Sequence, residues 1–208
     1  MRRTSVLLSA VFCLISISAS AKTIVVGACQ RSVAATIQAG VNRAAPGDTV
    51  SVCPGNYAGG VVVSTRSLTL NTSGPKGAVK VVGIGVSGPP VGFTVVADNV
   101  RISGFDISGF SGTPNSFGIL VGGVQPGDTG HPAHGASIVN NVIHGNGDGV
   151  YLWQSNGNRI YNNEIYNSLD LDGTEGVGIL SLSGRLGKTL PPQFTLQVLP
   201  AFHLQLLV

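Results

Sequence analysis

The side chains best suited to chemistry lie between residues 148 and 175, where acidic groups cluster along the chain. Four of the five carboxylates in this span are the candidates: Asp148, Asp170, Asp172 and Glu175. Carboxylates within reach of one another can hold Ca²⁺ through oxygen ligands, or separate their pKa values to supply an acid and a base. Asp148 and Asp172 each precede glycine, and an Asp-Gly pair also shapes an ordinary turn through its own backbone hydrogen bonds. The turn role is the favoured interpretation, and the carboxylates are weak candidates for catalysis or Ca²⁺ binding.

Aromatic side chains form a second candidate group in the same region. Alternation along a strand directs Val150 and Leu152 inward and Tyr151 and Trp153 outward. Outward rings on stacked strands form a flat apolar surface on which a sugar ring can lie, and two nearby amides could bind its hydroxyls. The substrate-binding set is therefore Tyr151, Trp153, Gln154 and Asn156. The alternative is that the two rings pack under the insertion at residues 125–134.

Internal repeats supply the elements that would position these residues. Residues 100–109, 136–145 and 158–167 superpose without gaps, each with an Ile, two turn-forming residues and a second Ile. A second unit follows each one, at residues 117–121, 148–153 and 175–180. This alignment makes Asp148 and Glu175 equivalent positions of neighbouring coils.

Self-similarity at this spacing indicates a solenoid. The strands are too short, and too often bounded by Gly and Asn, to be amphipathic helices. Coils of three short strands and three turns, stacked at about 4.8 Å, form a parallel β-helix. Stacked amides, Asn140 over Asn162 or Asn141 over Asn163, would hydrogen-bond along the stack. The fold class is thus all-β, with coils from about Asp48 to Gly184.

The two ends of the solenoid differ from its middle. Residues 33–45 have apolar side chains at helical spacing after Ser32, a candidate N-cap, which predicts an N-terminal capping α-helix over an open coil end. After Gly184 the repeat pattern stops. Residues 185–208 are an atypical tail: either an irregular cap, or the product of truncation or a frame shift in a longer solenoid.

The N-terminus and the cysteines predict export. Arg2 and Arg3 precede an apolar stretch and a small-residue site that ends at Ala21, which indicates a signal peptide over residues 1–21 and a β-helix domain over residues 22–184. The protein is then secreted or periplasmic, with no membrane attachment after cleavage. The alternative is an uncleaved membrane anchor, since the apolar stretch is only slightly shorter than a spanning helix. Cys29 and Cys53 are predicted to form a disulfide, the alternative being two buried free thiols.

Composition excludes several classes of function. Apolar residues make up 43% of the chain and charged residues 10%, which excludes intrinsic disorder. The net charge is only +3, and two of the twelve basic residues lie in the predicted signal peptide, so nucleic acid is not an expected partner. The four His have no Cys or carboxylate at ligand spacing, which argues against a zinc or copper site.

The N-terminal region and the repeats together resemble the right-handed parallel β-helix proteins of the pectin-lyase-like superfamily. The resemblance covers about residues 23–184 and rests on Thr36-Ile37-Gln38, on residues 46–50 and 54–57, and on the repeats from Val100 to Leu180. It implies the right-handed coil and a substrate groove on the face that carries the outward aromatics. The paired-Asp and His-Gly motifs of the polygalacturonases and the Arg and Asp constellation of the pectate lyases are absent.

Two functions from different classes follow. The first is a monomeric exported module that binds polysaccharide or another partner without catalysis and without a cofactor. The second is a lyase, epimerase or hydrolase of an acidic polysaccharide that uses the carboxylates near Asp148, with Ca²⁺ as the one cofactor considered. A third interpretation is an inactive fragment of a longer β-helix protein.

Overall fold

The computed structural model describes residues 20–29, 31–83, 90–123, 131–168, 176 and 178–182. Within them the chain is all-β apart from one short helix. The elements in chain order are β1 Thr23–Val26, α1 Ile37–Val41, β2 Thr49–Val52, β3 Gly55–Ala58, β4 Val61–Val63, β5 Thr69–Thr72, β6 Val79–Val82, β7 Val91–Val95, β8 Arg101–Ser103, β9 Asp106–Ser108, β10 Phe117–Val121, β11 Ser137–Val139, β12 Val142–His144, β13 Asp148–Trp153, β14 Arg159–Tyr161, β15 Glu164–Tyr166 and β16 Ile179–Leu182.

These strands form three parallel sheets. Sheet A has the order β1-β2-β5-β8-β11-β14, sheet B the order β3-β6-β9-β12-β15, and sheet C the order β4-β7-β10-β13-β16. From β2 onward the chain visits sheets A, B and C in turn, so each circuit adds one strand to each sheet, which is the arrangement of a parallel β-helix. The repeat alignment is confirmed by the register, in which Ile138 pairs with Ile102 on one side and Ile160 on the other.

One apolar core runs along the inside of the three sheets. Its members come from alternate positions of the strands, such as Ile102 and Ile138 in sheet A, Ile143 in sheet B, and Phe93 and Ile119 in sheet C, all at most 1% exposed. No single coil could bury these side chains alone, because each inner face is covered by the coils above and below it. Stacking therefore supplies the stability that single strands of three to six residues lack.

Amide side chains inside the turns bind the coils together. The Asn141 side chain accepts a hydrogen bond from the Phe105 N–H at 3.0 Å and donates to the Ile102 carbonyl at 3.1 Å. It also donates to Oδ1 of Asn163 in the next coil at 3.1 Å. Of the two pairings predicted, Asn141 over Asn163 is the one that forms the ladder. Asn140 and Asn162 instead have left-handed backbone conformations, with φ of 59° and 54°, and shape the turn.

The helix is shorter than the sequence predicts. It spans Ile37–Val41, and its N-cap is Thr36, whose hydroxyl accepts the Ala39 N–H at 3.1 Å, not Ser32. Val33 and Ala34 lie alongside β1, because the Val33 N–H donates to the Val25 carbonyl and Ala34 bridges to Val26. Pairing with the edge of β1 thus overrides the helical spacing. The parallel stack also begins earlier than Asp48, since β1 pairs with β2.

Cys29 and Cys53 form a disulfide in the structure, with Cα atoms 6.2 Å apart. It joins the segment after β1 to the end of β2 and closes a loop with a sequence separation of 24. Among the described residues no helix is long and apolar enough to cross a bilayer.

Removing the disulfide should destabilise the protein. Restricting a loop of this length in the unfolded chain contributes about 3 kcal/mol, so the double variant Cys29→Ser and Cys53→Ser should lose about that much free energy of unfolding. Urea titration of the oxidised protein and the double variant measures the difference. Chemical reduction of the unaltered protein should give the same loss, and equal midpoints for all three samples would contradict the prediction.

Candidate functional site

The aromatic and acidic candidates meet on strand β13, which spans Asp148–Trp153 in sheet C. Val150 and Leu152 belong to the main core, as alternation requires. Tyr151 lies on the opposite side of the strand, in a separate apolar cluster. Sequence alternation therefore assigned the inward and outward sides of this strand correctly.

Tyr151 is buried, with only 7% of it accessible. The alternative that the rings pack under residues 125–134 falls mostly on positions outside the described residues. Val91, Phe117 and Leu120 of the neighbouring strands share a cluster with Tyr151, and Trp153 packs against them. The Tyr151 ring centroid lies 4.7 Å from that of Phe117 and 6.4 Å from that of Trp153. In-register pairing of β10 with β13 brings these side chains together, so the face is a packed aromatic cluster rather than an exposed platform.

A small pocket opens beside this cluster. It has a volume of about 260 Å³, and its walls are the turn at residues 113–116 together with Phe117, Gly147, Asp148 and Tyr151. Small-molecule sites usually occupy about 300–1,000 Å³, so this pocket suits one ring of a larger ligand. It combines two aromatic walls with a rim of hydroxyl and amide groups.

The turn that forms the rim is fixed by its own hydrogen bonds. The Ser116 hydroxyl donates to the Thr113 carbonyl and lies 3.2 Å from the Thr113 hydroxyl. Asn115 adopts a left-handed conformation with φ of 63°. The Asp148 N–H donates to the Ser116 carbonyl at 2.9 Å, which joins this turn to the start of β13.

Burial and charge both act on the Tyr151 hydroxyl. Loss of hydration raises the pKa of Tyr151 above its ordinary value, and the negative charge of Asp148 raises this pKa further. Both effects disfavour the phenolate. Tyr151 is therefore a neutral hydroxyl near a carboxylate, which suits hydrogen bonding to an uncharged ligand rather than nucleophilic chemistry.

The other predicted ligand-binding residues lie outside the pocket lining. Gln154 follows β13 in a left-handed conformation, with φ of 48°. Asn156 is exposed, and its backbone N–H donates to Nδ1 of His134 at 3.2 Å. The residues that the sequence analysis missed are those of the 113–116 turn and Phe117. Phe117 could have been found, because the repeat alignment already placed it at the position of Asp148.

The predicted equivalence of Asp148 and Glu175 is wrong. The register pairs Val150 with Ile179, which aligns Gly149 with Gly178, whereas the predicted pairing would align it with Gly176. Asp170, Asp172 and Glu175 lie outside the described residues. Within the described ranges, no three His, Cys, Asp or Glu side chains come close enough to hold a metal ion.

A second polar group lies on the outer face of sheet B. The repeat alignment placed His144 opposite Ser108 and Tyr166, and the register confirms this. His144 Nε2 lies 3.1 Å from Asp106 Oδ1, and its ring stacks on that of Tyr166 with centroids 4.9 Å apart. This histidine therefore has specific side-chain partners on the outer face of the sheet.

Comparison of the chain with protein-family models, curated proteins and solved structures finds no match.

Proposed function

We propose that the protein is an exported carbohydrate-binding module with a right-handed parallel β-helix of pectin-lyase-like fold. The pocket between the 113–116 turn and β13 is its ligand site. The observation that carries the proposal is the juxtaposition of the Phe117 and Tyr151 rings with a hydroxyl-rich rim in one pocket. A sugar presents an apolar ring face and a polar edge, so it needs these two kinds of surface together.

Two further observations support the fold and location in this proposal. A parallel strand connection within one sheet is almost always right-handed, which favours the right-handed coil. The Cys29–Cys53 disulfide suits an oxidising compartment outside the cytoplasm, in keeping with the predicted signal peptide. Contacts of α1 with β1, β2 and β4 support its role as the cap over the first coil.

Binding rather than catalysis is proposed because of what accompanies Asp148. Hydrolysis or elimination on a sugar chain needs an acid and a base on either side of the scissile bond. Among the residues described, Asp148 is the one carboxylate in the pocket lining. The neutral Tyr151 hydroxyl adds a hydrogen-bonding group and not a second acid–base pair.

The test is oligosaccharide binding by the purified protein and two variants. Phe117→Leu replaces one of the two aromatic walls of the pocket by an aliphatic side chain, and it should weaken binding about ten-fold, the equivalent of about 1–2 kcal/mol. Tyr151→Phe removes only the hydroxyl, so it should weaken binding several-fold while keeping the packing against Phe117. A glycan array identifies the ligand, and calorimetry with that oligosaccharide measures the change.

Asn156→Ala is the matched control, because Asn156 is exposed and lies outside the pocket lining. It should bind like the unaltered protein. The proposal fails if no glycan on the array binds. It also fails if Phe117→Leu and Tyr151→Phe both bind as tightly as the unaltered protein.

A further inference from the structure

Three strands form sheet edges near α1: β1 of sheet A, β4 of sheet C and β3 of sheet B. A strand at the end of a sheet has a ladder partner on one side only, so its outer N–H and C=O groups need another partner or water. The three edges differ in whether another part of the chain bonds these outer groups.

Two of the edges are covered by the segment that contains α1. At β1, the Val33 N–H donates to the Val25 carbonyl and the Gly27 N–H donates to the Ala34 carbonyl, both at 2.9 Å. At β4, the Gln38 side chain replaces a strand. Its Oε1 accepts the Val62 N–H at 2.7 Å, and its Nε2 donates to the Val62 carbonyl at 3.1 Å.

The edge of β3 has no such cover. The N–H groups of Gly55 and Gly59 donate to the Ala78 and Val82 carbonyls on the β6 side, each at 3.1 Å. Alternate residues of a strand direct their main-chain groups to opposite sides, so those of Asn56 and Ala58 face away from β6. Both residues are exposed, and within the described part of the chain no hydrogen bond reaches these outward groups.

This open edge lines a cleft with a volume of about 960 Å³. Residues 54–59 contribute one part of its lining and residues 32–38 another. Tyr57 is held in place because its hydroxyl donates to the Cys53 carbonyl at 2.8 Å, and Cys53 is in turn fixed by the disulfide. Tyr57, a lining residue of the cleft, is thus held in position by the first coils.

The electrostatics of the cleft restrict its occupant. None of the side chains that line it is charged. A charged group entering it would lose hydration without gaining a counter-charge, whereas an uncharged chain loses little. The outward groups of Asn56 and Ala58 repeat every second residue, which matches the donors and acceptors of an extended polypeptide.

We propose that the β3 edge binds an extended, uncharged peptide strand of a partner, which adds to sheet B within this cleft. Main-chain hydrogen bonds to Asn56 and Ala58 hold the strand, and the cleft selects uncharged side chains on it. This site is separate from the pocket at β13 and does not depend on carbohydrate binding.

The experiment uses a surface-tethered peptide of alternating Thr and Val, with a Glu-for-Val version as the charged comparison. The full protein should bind the Thr-Val peptide, and the Glu version should bind at least ten-fold more weakly. Ala58→Pro removes the outward N–H and leaves the bonds of β3 to β6 in place, a position where an edge strand tolerates proline. It should also weaken binding at least ten-fold, while the control Ala58→Ser should not.

A second series changes only the peptide, so it stays decisive even if Ala58→Pro lowers the thermal midpoint. N-methylation of every second amide should abolish binding for one set of positions and spare it for the other. The proposal is wrong if the two sets of N-methylated positions have equal effects, or if the Thr-Val peptide does not bind. It is also wrong if a folded Ala58→Pro variant binds the peptide as tightly as the unaltered protein. Sedimentation showing a dimer that Ala58→Pro dissociates would assign the edge to a second copy and overturn it as well.

Discussion

Replacing Asn141 by Ala should lower the free energy of unfolding by about 4 kcal/mol. The Asn141 side chain is fully buried and serves two main-chain groups of the preceding coil, the Phe105 N–H and the Ile102 carbonyl. Alanine leaves both without a partner. A buried unsatisfied group costs about 1–3 kcal/mol, because neither water nor another side chain replaces the lost bond.

Urea unfolding followed through the fluorescence of Trp153, the single tryptophan of the chain, measures this loss. Asn156→Ala is the control, because its exposed side chain should contribute less than about 0.5 kcal/mol. A loss below about 1 kcal/mol in Asn141→Ala would contradict the prediction. It would mean that water enters the turn and satisfies the two groups.

Gly118→Ala should destabilise the protein by about 4 kcal/mol or prevent folding. Gly92, Gly118 and Gly149 stack in sheet C, and a Cβ atom on Gly118 would lie 2.6 Å from the Gly149 carbonyl oxygen and 2.8 Å from Cγ2 of Ile143. Ordinary overpacking costs about 1–3 kcal/mol. The cost here is larger because a backbone carbonyl can move only if the strand ladder opens.

Gly178→Ala is a matched control from the same stack. A Cβ atom on Gly178 would lie 3.7 Å from Cγ2 of Ile165, which is an ordinary contact. The free energy of unfolding of this variant should therefore be within about 1 kcal/mol of that of the unaltered protein. Thermal unfolding of both variants gives the comparison. If Gly118→Ala and Gly178→Ala had equal midpoints, close approach of the coils would not be the reason for glycine at these positions.

The repeat pattern predicted the architecture because every coil places apolar side chains at equivalent inward positions. Ile138 and Ile160 are inward at equivalent points of successive coils, and the amide of Asn141 lies where the pattern placed it. Such periodic information is local to each repeat, so it can be read without knowing the fold. The alignment of the repeats was wrong where the repeat changed length. Asp148 was therefore aligned with Glu175 instead of with the position two residues further along the chain.

The candidate site could be predicted only in part. Alternation placed Tyr151 outward, but its burial depends on Phe117 and Leu120, which come from the coil before it. The rim at residues 113–116 belongs to a turn with no counterpart in the repeats. Contacts between coils of unequal turn length are not encoded by any one repeat, so the sequence pattern did not reveal the pocket.

By itself, the sequence determined a stack of short parallel strands with Ile and Val inside and Asn in the turns, because a period of two along the strand and a repeat along the chain are both visible in one dimension. Only the tertiary structure decided what lies at the ends and on the outer faces. Val33 and Ala34 pair with the edge of β1 instead of forming the predicted helix. The Gln38 side chain covers the edge of β4, while the edge of β3 is open. These outcomes depend on which main-chain groups remain unpaired after the sheets form, and that is a property of the assembled stack.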